Sequence, residues 1–274
     1  MDNQEMEFFS LLPEGCISTI LSLTSPRDVC RSSAISPVFK AVTDSDPVWE
    51  AFLPPDYREI LSRSVSPVAF TAKKQLYLGL ADNPILLEGG KISFALDKES
   101  GKKCYMLGAR KLLIAWGDTP RYWRWRSLPQ SRFPEVAILE HVWWLDIRGR
   151  INSLLLSPET CYVAYLVFKI AEKNAGLEYT CRSSVRCLSE GGEGIEDESG
   201  ITTTVYLKLP RRQRLNGQHG RFPRKRNDEW MELELGEFFN EGNDGEVEMR
   251  LLETRSCKHG LVVEGIEFRP KAGA

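Results

Sequence analysis

A chain of 274 residues, 42% of them hydrophobic, is long enough for one large domain or two smaller ones and should bury a real core. Lysine and arginine total 36 against 38 aspartates and glutamates, and a formal charge of −2 gives no global field toward nucleic acid or an anionic membrane. The start, MDNQEMEFFS, lacks a basic head and an apolar signal segment, and the longest apolar run, Tyr162 to Phe168, is too short to span a bilayer, so no membrane is expected and the expected location is cytoplasm or nucleus. Seven cysteines contain no Cys-x-x-Cys pair, and His141, His219 and His259 lie outside helical or hairpin spacing of a cysteine or of one another; the cysteines are read as reduced thiols, with no metal or cofactor expected. No Asn-x-Ser/Thr sequon is present, in keeping with that reading.

In chain order, Leu12-Pro13-Glu14 opens a first helix whose apolar face is set by Ile17, Ile20 and Leu21. Ser25-Pro26, Ser36-Pro37 and Asp46-Pro47 then repeat one punctuation, a capping side chain followed by proline. The Ser or Asp oxygen accepts an orphan backbone N–H, and proline at the first helical position loses no hydrogen bond. Three short helices are expected, carrying Val29, Val38, Phe39, Val42, Val48, Trp49 and Phe52 as apolar residues. A segment of this size is near the lower limit for folding alone and points to a partner, with a helical cap on the rest of the chain as the alternative.

The residues Leu12-Pro13-Glu14, Ile20-Leu21, Ser25-Pro26-Arg27-Asp28-Val29, Phe39 and Asp46-Pro47-Val48-Trp49 resemble the F-box in identity, order and spacing. That resemblance implies docking on the Skp adaptor of Skp-cullin-F-box ubiquitin ligases, with Leu12, Pro13, Ile20, Leu21 and Pro26 at the contact positions. Ala34-Ile35-Ser36 departs from the pattern, where many F-boxes carry an aromatic-basic signature.

Residues 54–98 read as a helical connector, broken at Pro54-Pro55 and holding a candidate helix from Ala72 to Leu80. From residue 99 the period changes. Thr204 to Leu209, Met231 to Leu235 and Val247 to Leu251 alternate apolar with polar residues, as strands with one buried face do. Tyr162 to Ile170 is apolar on both faces and suits a central strand. The expected fold is a small all-α domain over 1–53 followed, over 99–274, by an antiparallel β-sandwich of jelly-roll type. The acidic, glycine-rich stretch 190–200 is expected to form a surface loop.

Five of the seven tryptophans fall between Trp116 and Trp144. Trp143-Trp144 is read as core packing, whereas Trp116 and Trp123 flank the turn Gly117-Asp118-Thr119-Pro120 among Arg121, Arg124 and Arg126, and are expected near solvent. An exposed indole offers an apolar face to a pyranose ring, and Arg–Trp stacking without a ligand is the competing use.

Ala109 to Leu112, Trp116, Tyr122 to Trp125, Trp144 to Ile147, Tyr162 to Lys169, Gly220 to Pro223, Leu235 to Phe239, Gly245 to Leu251 and Ile266 to Pro270 resemble plant phloem lectins of the Nictaba type. This resemblance implies a sandwich that binds N-acetylglucosamine oligomers or N-glycan cores, with the sugar site carried onto Trp116, Trp123, Glu246 and Glu253. Arg211, Arg212, Arg214, Arg221, Arg224, Lys225 and Arg226 form the one basic run, read as a solvated loop in preference to a nucleic-acid contact or nuclear signal. No nucleophile elbow, phosphate-binding glycine loop or nucleophile–base pair supports catalysis. The two resemblances imply a non-catalytic receptor with two partners, the Skp adaptor and a client protein, glycosylated where the lectin function is kept. The alternatives are a stand-alone cytosolic or nuclear lectin, and a receptor whose sandwich takes an unglycosylated peptide.

Overall fold

The computed structural model describes residues 12–188, 201–209 and 220–272. The acidic stretch 190–200 and the arginines at 211, 212 and 214 lie outside the described residues. The chain divides into two compact units: one runs to Ile85 and includes Phe94–Lys103, and the other comprises Leu86–Ser93 and everything from Cys104 onward.

Among the described residues the first unit holds six short helices: α1 (Glu14–Ser22), α2 (Pro26–Ser32), α3 (Pro37–Thr43), α4 (Asp46–Glu50), α5 (Tyr57–Ser62) and α6 (Lys73–Asp82). The Ser-Pro punctuation acts as expected at α2 and α3, where the Ser25 and Ser36 hydroxyls accept from the amides of Asp28 and Phe39. At Asp46 it does not. Ser45 is the cap of α4 and makes no side-chain bond, while the Asp46 carboxylate accepts from the Lys73 amide at 2.8 Å and so ties α4 to the start of α6. Trp49 is fully buried, donates its indole N–H to the Thr43 carbonyl at 2.6 Å and packs 5.2 Å from the Tyr77 ring. Tyr57, Ile60, Leu76, Tyr77 and Leu80 are buried in the same unit, so the segment 54–85 supplies part of this core.

The second unit is mostly antiparallel sheet. One sheet runs β3 (Lys103–Gly108), β14 (His259–Pro270), β8 (Thr160–Ala175), β12 (Met231–Asn240), β11 (Arg224–Lys225). Beyond β3 lie β2 (Ile92–Leu96) and β1 (Ile85–Leu87), while β6 (Val136–Leu139) joins β14 and β5 (Trp123–Arg126) joins β6, making nine strands. The second sheet has five strands in the order β10 (Ile201–Tyr206), β9 (Thr180–Leu188), β13 (Glu246–Glu253), β7 (Leu145–Asn152), β4 (Leu113–Ile114). As its two-sided apolar pattern requires, β8 is central, buried on both faces from Tyr162 to Ala164 and from Leu166 to Phe168.

The sheets face each other through alternate side chains. Leu166, Leu233 and Ile266 form one row across β8, β12 and β14, and Leu145, Ile147, Ile151, Val247, Met249 and Leu251 face them from β7 and β13. Gly149 is the close-approach point, since a β-carbon there would lie 3.0 Å from the Ile266 side chain. On the other side of the nine-stranded sheet, Met106, Phe133, Val136, Val167, Trp230 and Val262 make a second core under the 128–138 segment.

Candidate functional site

In the helical unit the five expected adaptor-contact residues divide. Pro13 is exposed, Leu12 is half-buried, and Ile20 on α1 is 47% exposed. Leu21 and Pro26 are buried within the unit. Leu23, Ile35 and Val38, which the sequence reading did not count among the contacts, are all exposed; the departure at Ala34-Ile35-Ser36 was the nearest signal. A small unit that leaves several aliphatic side chains in water has a surface suited to a protein partner.

The expected sugar residues are placed very differently from one another. Trp116, in the turn after β4, is 51% exposed and adopts the left-handed backbone conformation, φ 55°, that a bulky residue rarely takes. The turn is closed by Gly117 N–H to Ile114 O and Thr119 N–H to Trp116 O, both 2.9 Å, and Tyr122 lies 5.5 Å away ring to ring. Trp123 is not near solvent: it is 2% exposed. It opens β5 opposite Leu139, and its indole N–H donates to the Ala115 carbonyl, so it supports the turn from beneath. The free-standing Arg–Trp stack exists as well, with Arg110 centred 3.7 Å from the Trp125 ring.

Glu253 is also buried, on the inward face of β13. Its carboxylate bonds to Lys258 Nζ, to the Arg255 amide at 2.8 Å and to the Ser256 hydroxyl. Burial pushes its pKa up, but Lys258 and Arg255 outweigh that and hold it below the ordinary range. The same burial, with the Glu253 carboxylate adding to it, pushes the nearby Cys181 thiol up to about 12. Glu246 is exposed at the opposite end of β13, roughly 24 Å away by strand rise. The structure therefore brings Trp116, Trp123 and Glu253 to one end of the five-stranded sheet and leaves Glu246 at the other.

Trp143 and Trp144, expected in the core, are 62% and 46% exposed. Lys258 explains the difference: its chain bridges Val142, and its buried ammonium bonds the Trp143 carbonyl at 2.9 Å, so the two residues leave β7's register before the sheet begins. The same bridge brings Cys257 Sγ to 3.3 Å from His141 Nδ1, a contact that sequence spacing did not foretell.

Two grooves open on the outer face of the five-stranded sheet. One, about 480 Å³, is lined by Trp144, Arg182, Ser184, Arg186, Thr202 and Arg250. The other, about 420 Å³, lies between Arg110, Leu113, Asp118, Trp125 and Arg148. Between them Asp146 is clasped by Arg148 (Nη2 2.8 Å) and Arg250 (Nη2 2.8 Å). Burial opposes its ionisation, but the two guanidiniums prevail and lower its pKa.

Comparison with known proteins bears directly on this two-sheet unit. The profile of the phloem protein 2 family matches residues 102–270. The chain belongs to the phloem protein 2 family. The F-box protein At2g02240 of Arabidopsis thaliana is 44% identical over 266 residues, covering 96% of this chain and 80% of the relative. F-box protein PP2-B10 is 42% identical, covering 96% and 94%. F-box protein SKIP3 is 38% identical, covering 94% and 87%; both are also from Arabidopsis thaliana. The recognition of a plant F-box protein with a phloem lectin domain is thereby borne out, and the phloem protein 2 domain begins at the edge of the second unit. Within this domain, Arg182 and Arg186 escaped sequence reading, and Trp144 was read as core. The available signal for the arginines was the two-residue alternation of β9, which the pairing with Leu252, Arg250 and Glu248 sets on one face of the sheet.

Proposed function

We propose that the chain is the substrate-recognition subunit of a Skp-cullin-F-box ubiquitin ligase: the helical unit docks on the Skp-type adaptor and the phloem protein 2 domain holds the client. The observation that carries this reading is the joining, in one chain, of a small helical unit with exposed Pro13, Ile20 and Leu23 to a phloem protein 2 domain, an arrangement matched over 96% of the chain by a relative named as an F-box protein. The chain performs no covalent step. Its contribution is proximity, raising the concentration of client lysines at the transfer site.

The sugar reading centres on Trp116. An exposed indole held at φ 55° is a strained arrangement, which suits a ring presented to a ligand such as an N-acetylglucosamine oligomer. Trp123 and Glu253 act from beneath by holding the turn and the strand end, and Trp144 adds a second exposed ring. Glu246, at the far end of β13, would touch only an extended glycan.

Purified chain is expected to co-elute with the Skp-type adaptor, and Ile20→Asp with Pro13→Ala to abolish this at an unchanged thermal midpoint; separate elution of the unmutated chain sinks the receptor reading. On a glycan array, Trp116→Ala is expected to remove the signal without lowering stability. An array blank for the unmutated protein ends the sugar half and leaves a receptor for unglycosylated clients.

A further inference from the structure

The outer face of the five-stranded sheet is charged out of balance. On β7, β9 and β13 it carries Arg148, Arg150, Arg182, Arg186 and Arg250 against Asp146, Glu246 and Glu248, in a chain whose formal charge is −2. Asp146 is held by Arg148 and Arg250, and Glu248 by Arg150 at 2.7 Å. Arg182 and Arg186 make no hydrogen bond or ion pair among the described residues. Arg186 sits across from Glu248 in the register without bonding to it, and its Nε is covered with no acceptor. A covered donor without an acceptor is unfavourable and calls for an explanation.

These side chains line one groove, about 480 Å³, with the hydroxyl residues Ser184 and Thr202 between the arginines and with Trp144 and Leu252 beside Arg182. Arg250 stands level with Ser184, midway between Arg182 and Arg186 on β9, so the backbone positions of the three arginines mark successive levels two residues apart, about 7 Å each. Arg250 grips Asp146 through Nε and Nη2, which leaves Nη1 for a further acceptor.

We propose that this groove receives an extended segment of the client with acidic residues at alternate positions and an apolar residue against Trp144 and Leu252. The argument is charge complementarity together with period: an extended peptide laid along β9 repeats its side chains on one face at the same two-residue interval as the arginines. That the segment belongs to a client rests on the receptor reading; the groove's preference for such a peptide does not.

The test is fluorescence anisotropy of the full chain with a labelled peptide, Leu-Ser-Glu-Ser-Glu-Ser-Glu, against its block isomer, Leu-Ser-Ser-Ser-Glu-Glu-Glu. The alternating peptide is expected to bind about tenfold more tightly than the isomer and to weaken as salt is raised. Arg182→Gln with Arg186→Gln is expected to lose about tenfold in affinity at an unchanged thermal midpoint, because neither side chain holds a partner among the described residues. Equal affinity for the two isomers, unchanged affinity in the double variant, no binding at low salt, or displacement of the peptide by an equal concentration of a sulfated hexasaccharide each overturns the proposal. Adaptor co-elution is measured on the same proteins. Peptide binding without adaptor binding overturns the receptor reading alone, and adaptor binding without peptide binding overturns the groove alone.

Discussion

The outer faces of the two sheets both carry buried charge, and they differ in whether that charge is closed. On the nine-stranded sheet Glu267 meets Arg226 at 2.6 Å and Arg132 at 3.4 Å, and Glu232 meets Arg269 at 2.7 Å and Arg226 at 3.4 Å. Burial opposes ionisation of Glu267, but Arg226, Arg269 and Arg132 surround it and hold its pKa below the usual range. Glu267, Glu232, Arg226, Arg132 and Arg269 thus pair with one another inside the fold. On the five-stranded sheet Asp146 and Glu248 are closed in the same way, yet Arg182 and Arg186 beside them are not. A closed network holds structure together, whereas charge left without a partner among the described residues is what the proposed groove would use.

Among these charges, the largest break in the comparison is expected from Glu267→Gln. It takes the Glu267 carboxylate from Arg132 and leaves Arg226 with Glu232 and Asp228 alone, and should lower stability by about 3 kcal/mol in denaturant unfolding. Trp123→Ala, which removes a buried indole and its bond to the Ala115 carbonyl, is expected to cost about 3–5 kcal/mol by the same measurement.

Acid provides a graded version. Asp146, Glu253 and Glu267 have lowered pKa values in the fold, so their contribution is present in full above the unfolded carboxyl range and is lost as pH falls through the folded values. Glu264 works in the opposite sense: burial raises its pKa, so its unfavourable ionisation at neutral pH is relieved by acid and offsets part of the loss. The thermal midpoint should stay level down to about pH 5 and fall below about pH 4, with a shallower fall in Glu267→Gln. Trp116→Gly removes an exposed ring and suits φ 55°, and should raise stability by about 1 kcal/mol. Smallest of all, Arg182→Gln with Arg186→Gln should stay within about 0.5 kcal/mol of the parent, and a larger loss would mean that these arginines are structural after all.

The sequence made the strands of the phloem protein 2 domain legible because period-two alternation reports directly which side chains share a face. It does not report what covers that face. Glu232 and Glu267 alternate as solvated residues would, and only Arg226 and Arg132, 41 and 135 residues away from Glu267, turn them into an interior network. Trp123 and Trp143 were misplaced for the same reason, since both depend on contacts with remote segments, the Ala115 carbonyl and Lys258. The helices were readable from Ser-Pro pairs, except where Asp46 found a partner in Lys73. Of the candidate site, Trp116 was visible through its turn residues, while Trp144 and the arginines of β9 required the register of β13 against β9.

The receptor account is tested most directly by hydrogen–deuterium exchange on the full chain with and without the Skp-type adaptor. It predicts adaptor-dependent protection confined to α1, α2 and α3, with the exchange of β7, β9 and β13 unchanged. Protection that appears on the sheets and spares those helices, or no protection anywhere at saturating adaptor, would contradict it.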